Sequence, residues 1–169
     1  MTKDFTELLA GDDLRSLGKS SKIISLINNQ NSFDKLFKYL YSSDRAIVMK
    51  TIDIIEKITL KHKEYLQKHK MEILNISNDA ENIEFKWHLA QIIIRIKYKN
   101  NEIKIVWKIL EKWILDKKES KIVRVNSLQS LYEIARINNE YETKLNKIVK
   151  TIKQENISSI NARIKKLGL

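Results

Sequence analysis

The 169-residue sequence contains no cysteine and no proline, and only three glycines. Without cysteine there can be no disulfides and no thiolate metal sites, and a reducing compartment is permitted. Proline and glycine interrupt helices and form turns, and all-β folds need many such residues. These absences favour a chain that consists of long helices, and we expect an all-α fold.

Signals for membrane insertion, export and catalysis are also missing. No apolar run approaches the roughly 18 residues of a transmembrane helix, and the amino terminus is charged where a signal peptide is apolar. We therefore expect a cytoplasmic protein that does not bind membranes. His62, His69 and His88 lack the i, i+4 spacing of a zinc site, and no phosphate-binding glycine loop or nucleophile motif is present. We expect no metal, no cofactor and no enzymatic activity, although Asp53 and His88 could form an acid–base pair across neighbouring helices.

The charge is strongly positive and unevenly distributed. The net charge is +11, while a hydrophobic content of 43% argues against disorder. Residues 1–60 hold nine basic and eight acidic residues, whereas residues 61–169 hold 23 basic and 13 acidic residues. Lys, Ile and Asn are all abundant, as expected of an AT-rich genome, so a compositional origin of the charge stays open. Any function of the charge is expected in the later part of the chain.

Three stretches repeat one another at a spacing of 38 residues, in polar as well as apolar positions. Columns of the repeat are Glu64, Glu102 and Glu140; Ile58, Ile96 and Ile134; Ile76, Ile114 and Ile152; and Asp53, Gln91 and Gln129. A period of roughly 20 to 50 residues is typical of folds in which each unit buries its apolar face by stacking on its neighbours. We predict one domain, 1–169, with an amino-terminal helical cap over 1–42 and repeats over 43–167.

Capping residues and hydrophobic spacing place the helices. The expected N-caps are Ser20 or Ser21, Ser32, Asp44, Asn82 and Ser120. The expected helices are 5–9, one ending at 26, 33–41, 44–60, 64–77, 82–97, 102–116, 120–137, 140–154 and a shorter one from 158. The second helix of each pair carries an apolar stripe at i, i+4, i+8 and i+11, which we expect to be buried. The stripes are Ile47, Thr51, Ile55 and Ile58; Phe85, Leu89, Ile93 and Ile96; and Val123, Ser127, Leu131 and Ile134.

The paired helices resemble a known family. Their second member opens with a form such as KIVRVNSLQSLYEIA at 121–135, which is similar to HEAT repeats of the armadillo-type α-solenoid superfamily. EFKWHLAQIIIRI at 84–96 and VRVNSLQSL at 123–131 are also similar to small bacterial and archaeal HEAT-repeat proteins of unassigned function. The resemblance covers roughly 32–167 and implies a right-handed α-α superhelix whose second helices line the concave surface. Function must still come from a site on this scaffold.

On that surface the second helices would present polar ladders in repeat register. The ladders are Lys50, His88 and Asn126; Asp53, Gln91 and Gln129; and Lys57, Arg95 and Glu133. Such side chains suit recognition of a peptide backbone, or they hydrogen-bond neighbouring helices to one another. Trp87 is either a core residue or, with Tyr132 and Arg95, an interface anchor. Lys86 and Arg124 match the basic residue that the family has early in its second helix.

The predicted function is non-enzymatic binding or scaffolding of a protein partner along the concave face. The candidate binding residues are Lys50, Asp53, Lys57, Lys86, Trp87, His88, Gln91, Arg95, Arg124, Asn126 and Gln129. The alternative is DNA or RNA binding by the basic carboxy-terminal repeats, since Lys and Arg neutralise phosphates. Some DNA glycosylases are built from HEAT-like repeats with a basic concave groove, which leaves such an activity as a further alternative. Many lysines here, such as Lys104, Lys108 and Lys112, instead fall on first helices, which are expected to be convex.

Overall fold

The computed structural model describes residues 5–9 and 17–169, with side chains from residue 20 onward in the second range. The helices are α1 (Thr6–Leu9), α2 (Leu17–Leu26), α3 (Gln30–Phe37), α4 (Arg45–Thr59), α5 (Lys70–Asp79), α6 (Ile83–Ile92), α7 (Asn100–Leu115), α8 (Lys121–Ile137), α9 (Glu142–Lys153) and α10 (Ser158–Leu167). No strand occurs in these two ranges, so the all-α prediction is confirmed. None of the described helices has both the length and the apolar content needed to span a bilayer.

Three of the predicted N-caps are confirmed by their hydrogen bonds. The side chain of Asp44 accepts from the N–H of Ala46 at 2.8 Å. The side chains of Asn82 and Ser120 cap α6 and α8, and each accepts from the backbone N–H three residues later. Each cap satisfies one of the N–H groups that the first turn leaves without an intrahelical partner. The repeat therefore sets the start of each second helix.

Two predicted N-caps are wrong. Helix α2 already begins at Leu17, so Ser20 and Ser21 lie inside it. Helix α3 begins at Gln30, and its N-cap is Asn29, whose side chain accepts from the N–H of Ser32 at 2.9 Å. Ser32 bonds back to Asn29, so it is the third helical residue of a capping box rather than the cap. Both Asn and Ser favour such positions, and the sequence alone does not rank them.

Several predicted helices are partly 3-10. The segment predicted as 64–77 is a 3-10 helix, Lys63–His69, followed by α5. The helix predicted to reach residue 97 ends as an α-helix at Ile92 and continues as a 3-10 turn, Ile93–Arg95, and α9 is likewise preceded by a 3-10 turn, Asn139–Tyr141. Such tighter turns are common at helix termini, where hydrogen bonds shift from i+4 to i+3. Hydrophobic spacing does not separate the two helix types over one turn.

The chain forms two compact units, Met1–Lys70 and Met71–Leu169, called unit 1 and unit 2 below. In unit 1, α4 packs against α1, α2, α3 and the 3-10 turn Lys38–Tyr41. Its core is built from the following side chains: Phe33, Leu36, Phe37, Leu40, Ile52, Ile54, Ile55 and Ile58. Aromatic residues of α3 thus pack on the isoleucines of α4, and the buried stripe predicted for α4 is confirmed except at Ile47, which is half-buried.

Unit 2 is organised around α8. Helices α6 and α10 pack on either side of α8 to form a second-helix layer, while α7 and α9 pack behind it as a first-helix layer. Trp107 and Trp113 of α7 are both 3% exposed and belong to the core. The hydroxyl of Ser130 on α8 donates to the carbonyl of Ala90 on α6 at 2.5 Å, which small side chains at this crossing allow. Of the stripes predicted here, only Phe85 and Ile134 are half-buried rather than buried.

A polar cluster ties α3 to the 3-10 helix Lys63–His69 within unit 1. Oδ1 of Asp34 accepts from Nε2 of Gln30 and from Nε2 of His69, both at 2.7 Å, and Oδ2 accepts from Nζ of Lys68. The ring of His69 is buried and stacks on Phe37 with the centroids 3.9 Å apart. Burial opposes ionisation of Asp34, but the hydrogen bonds from Lys68, Gln30 and His69 outweigh it and lower its pKa to about 2.

This cluster predicts an acid-sensitive contribution to stability. The pKa of Asp34 in the folded chain is about 2, below its ordinary 3.8, so the stabilisation is complete above about pH 4 and is lost as the pH falls towards 2. We expect Asp34→Asn to lower the free energy of unfolding by about 2 kcal/mol at neutral pH and by much less near pH 2. Denaturant unfolding at both pH values, with amide hydrogen exchange of α3, measures the difference. The exposed Glu142→Gln is the control, and an Asp34→Asn effect that is equal at both pH values would contradict the assignment.

Candidate functional site

Three of the predicted binding residues lie in unit 1, on α4. Nζ of Lys57 is 2.6 Å from Oδ2 of Asp53, and both side chains are partly exposed, at 42% and 34%. An i, i+4 pair at this exposure contributes little to stability. Lys50 donates from Nζ to the carbonyl of Leu9 at 3.2 Å. The other eight predicted residues lie in unit 2.

Arg124 is inside the protein rather than on a surface. It is 1% exposed, and its Nη1 and Nη2 each donate to one carboxylate oxygen of Glu155 at 2.8 Å. Its Nε donates to the carbonyl of Ile114 at 2.8 Å, in the last turn of α7, where carbonyls lack intrahelical partners. The prediction that Arg124 contacts a partner is therefore corrected, because its guanidinium is used inside unit 2.

The position of Glu155 follows from the turn between α9 and α10. The next residue, Asn156, has φ of 49°, a left-handed conformation that Asn tolerates better than most residues. Its side-chain oxygen accepts from Nδ2 of Asn161 at 3.0 Å. The bidentate hydrogen bonds from Arg124 lower the pKa of Glu155, against the opposing effect of burial. This buried pair therefore joins α8 to the turn that precedes α10.

Lys86 makes the corresponding contact one repeat earlier. Its Nζ lies 2.5 Å from Oε2 of Glu119, just before α8, and the two side chains are 16% and 6% exposed. Oε1 of Glu119 accepts from the N–H of Ser120, which is itself the N-cap of α8. The sequence matched Lys86 and Arg124 to one family position, and the structure gives both the same role in connecting adjacent repeats. The acidic partners were missed, because they lie in the linkers rather than on the ladders.

The remaining predicted residues lie on α6, α8 and the 3-10 turn after α6. Trp87 is half-buried, and its ring lies against that of His88 with the centroids 4.8 Å apart. His88 itself is 7% exposed and so is not a surface residue. Gln91 donates from Nε2 to the carbonyl of Trp87 at 3.4 Å, and Arg95 is half-buried in the turn Ile93–Arg95. Of the two roles considered for Trp87, the structure favours the partly open one.

Side chains on the solvent side of α6 and α8 form a mixed apolar and amide surface, the α6–α8 face. Its members are Ile83, Trp87 and Gln91 on α6, and Ile122, Asn126 and Gln129 on α8. Spacings of three and four residues place each set along one side of its helix. Because α6 and α8 pack directly against each other, the two sets are neighbours. Ile83 is 49% exposed and Ile122 is 43% exposed, so the face contains two exposed branched apolar side chains.

Hydrogen bonds hold one amide of this face in place. Nη1 of Arg163 on α10 donates to Oε1 of Gln129 at 3.0 Å, and Nε2 of Gln129 donates to Oε1 of Glu133 at 2.9 Å. The ladder residue Gln129 thus joins α8 to α10 through Arg163, which lies on none of the ladders. The side chain of Asn126 has no hydrogen-bond partner among the described residues. One amide is thus used within the stack, while the other can pair with an external group.

Sequence reasoning missed Ile83 and Ile122 as members of this face. Ile83 lies four residues before Trp87, and Ile122 lies seven before Gln129, so helical spacing from the predicted residues would have pointed to both. Their apolar character instead suggested the core. Arg163, on the last, shorter helix, was expected on the concave surface but on none of the ladders.

Comparison with known proteins identifies the family. A family model of the HEAT repeat domain matches residues 12–167, which is most of the chain, so the protein belongs to the HEAT-repeat family. HEAT repeats generally mediate protein–protein interaction or scaffolding. No curated protein and no solved structure matches the chain. The predicted superfamily is thereby confirmed, whereas the finer likeness to prokaryotic members stays a prediction.

The buried pair should be far more important for stability than the exposed one. We expect Arg124→Met to lower the free energy of unfolding by about 3 to 5 kcal/mol, since it leaves the Glu155 carboxylate without its partner in a largely buried site. Lys57→Met, which removes the partner of Asp53 at an exposed position, should cost less than about 1 kcal/mol. Urea unfolding followed by circular dichroism compares the two. Similar losses in both variants would show that Arg124 does not have the structural role assigned to it.

Proposed function

We propose that the protein is a non-enzymatic scaffold that binds another protein through the α6–α8 face. The observation that carries the proposal is the exposure of Ile83 and Ile122 on the two packed helices that carry the partly open Trp87 and the amides. Exposed apolar side chains beside a large aromatic residue are typical of the centre of a protein interface. Membership of the HEAT-repeat family supports a partner of this class.

The polar part of the face suits a peptide backbone. Asn126 offers one acceptor and two donors, and Gln129 is held in a single orientation by Arg163 and Glu133. Amides of this kind can pair with the N–H and C=O groups of a bound segment, and pre-ordering reduces the entropy that is lost on binding. The two basic residues that family resemblance placed nearby, Lys86 and Arg124, are occupied by Glu119 and Glu155. The face is therefore better matched to a polypeptide than to phosphate.

Site-specific photo-crosslinking tests the proposal in cells that contain the partner. A benzoylphenylalanine residue is placed at Ile122 on the α6–α8 face or, as a matched control, at Ile105 of α7, which is 46% exposed. We expect a defined crosslinked product from position 122 and none of the same mass from position 105. Identical products from both positions would contradict the proposal.

Trp87→Ala then tests the anchor role with the partner so identified. Truncation of a central aromatic residue commonly costs about 2 kcal/mol or more, so we expect the affinity to fall by at least about tenfold. Ile105→Ala, outside the face, should leave the affinity unchanged. Isothermal titration calorimetry measures both, and circular dichroism checks that each variant is folded. Equal affinities for wild type and Trp87→Ala would remove Trp87 from the interface.

A further inference from the structure

Seven lysines of the first-helix layer of unit 2, on the outer side of α7 and on the outer side and both flanks of α9, form a surface called the lysine face. Its members are Lys104, Lys108 and Lys112 on α7, and Lys144, Lys147, Lys150 and Lys153 on α9. All seven are exposed, and α7 and α9 pack against each other. We propose that the lysine face binds the phosphate backbone of nucleic acid. This surface lies on different helices from the α6–α8 face, so an experiment can contradict either proposal without affecting the other.

These positive charges are poorly compensated. None of the seven lysines forms an ion pair with a side-chain carboxylate of any described residue; Lys144 lies over the ring of Tyr141 at 4.7 Å, and Lys153 donates to the backbone oxygen of Leu169 at 3.2 Å. The acidic residues of α7, Glu102 and Glu111, are half-buried, and that of α9, Glu142, is exposed. Clustered like charges of this kind produce a local positive potential that attracts polyanions. A merely solvated helix face usually mixes both signs of charge.

The basic residues of the second-helix layer differ in this respect. Lys86 and Arg124 are paired with Glu119 and Glu155 inside unit 2, so their charges are neutralised locally. Helices α7 and α9 hold seven lysines against three acidic residues, and α6, α8 and α10 hold seven basic residues against two acidic ones, so both layers carry an excess of positive charge.

The chemistry of the exposed residues favours phosphates over a membrane surface. The apolar residues of α9, Leu145, Ile148, Val149 and Ile152, are all buried, and its exposed side carries lysines with Thr143, Asn146 and Thr151. A helix that lies in a membrane interface needs an exposed apolar face, which α9 lacks. Lys, Asn and Thr are instead the side chains that contact phosphate oxygens in nucleic-acid complexes. An acidic protein would need complementary carboxylate geometry, whereas a regular phosphate backbone requires only a row of cations.

Fluorescence anisotropy with short duplex DNA and single-stranded RNA tests the proposal. We expect binding at about 50 mM salt that weakens steeply towards about 200 mM. The triple variant K104Q/K108Q/K112Q should bind more than about tenfold more weakly, and the slope of log affinity against log salt should fall by about 2 to 3, near 0.9 for each lost phosphate contact on duplex. Phosphatidylserine vesicles and polyglutamate are measured in parallel as competing polyanions.

The matched control is K22Q/K38Q/K61Q, which removes the same charge at exposed positions of unit 1. This control should keep the affinity and the salt slope of the wild type. An equal loss in both triple variants would show that overall charge alone attracts the polyanion and would overturn the proposal. So would the absence of binding to either nucleic acid at about 50 mM salt. Tighter binding to the vesicles or to polyglutamate would likewise overturn it in favour of a membrane or a protein.

Discussion

The buried guanidinium of Arg124 is the constraint on which the architecture of unit 2 depends. An ionised group with 1% exposure is costly unless its donors are satisfied, and here two other elements of the fold supply acceptors. Ile114 closes the end of α7, Glu155 positions the turn before α10, and Arg124 itself belongs to α8 between them. Lys86 and Glu119 make the same kind of connection one repeat earlier, and their side chains are more exposed. Helices that share only apolar contacts could slide past each other, whereas the two ion pairs specify one register.

Lys86 and Arg124 are paired with Glu119 and Glu155 inside unit 2, so neither basic group is available on the surface of the second-helix layer. In the second-helix layer, the α6–α8 face carries amides and apolar side chains such as Ile83, Trp87 and Ile122, which suit a polypeptide partner. The first-helix layer keeps unpaired lysines, which suit a polyanion. A short helical repeat can thus present two chemically different faces, because each helix is amphipathic and buries only the side that contacts its neighbours.

The repeat made the helix pairs predictable. Helix starts and helix types were predicted less well, because two local alternatives fitted the same few residues. Columns of isoleucine and polar residues located the helix pairs, and Asp44, Asn82 and Ser120 were correct caps because a side-chain oxygen at the start of an apolar stripe has one favourable use. Ser32 was assigned the role that Asn29 has, since two good caps lay within one turn. The 3-10 segments were missed because periods of 3.0 and 3.6 residues hardly diverge over a few positions.

Of the candidate site, the sequence by itself determined which side of each second helix carries Trp87, Gln91 and Gln129, because angular position follows directly from helical spacing. It also determined membership of a helical-repeat class, through the 38-residue period. Only the tertiary structure decided that Arg124 lies inside while Ile83 and Ile122 lie outside. That outcome depends on what a neighbouring linker or helix places beside the residue, here the Glu155 carboxylate or open solvent. Burial and pairing are properties of contacts between distant segments, and a one-dimensional pattern does not contain them.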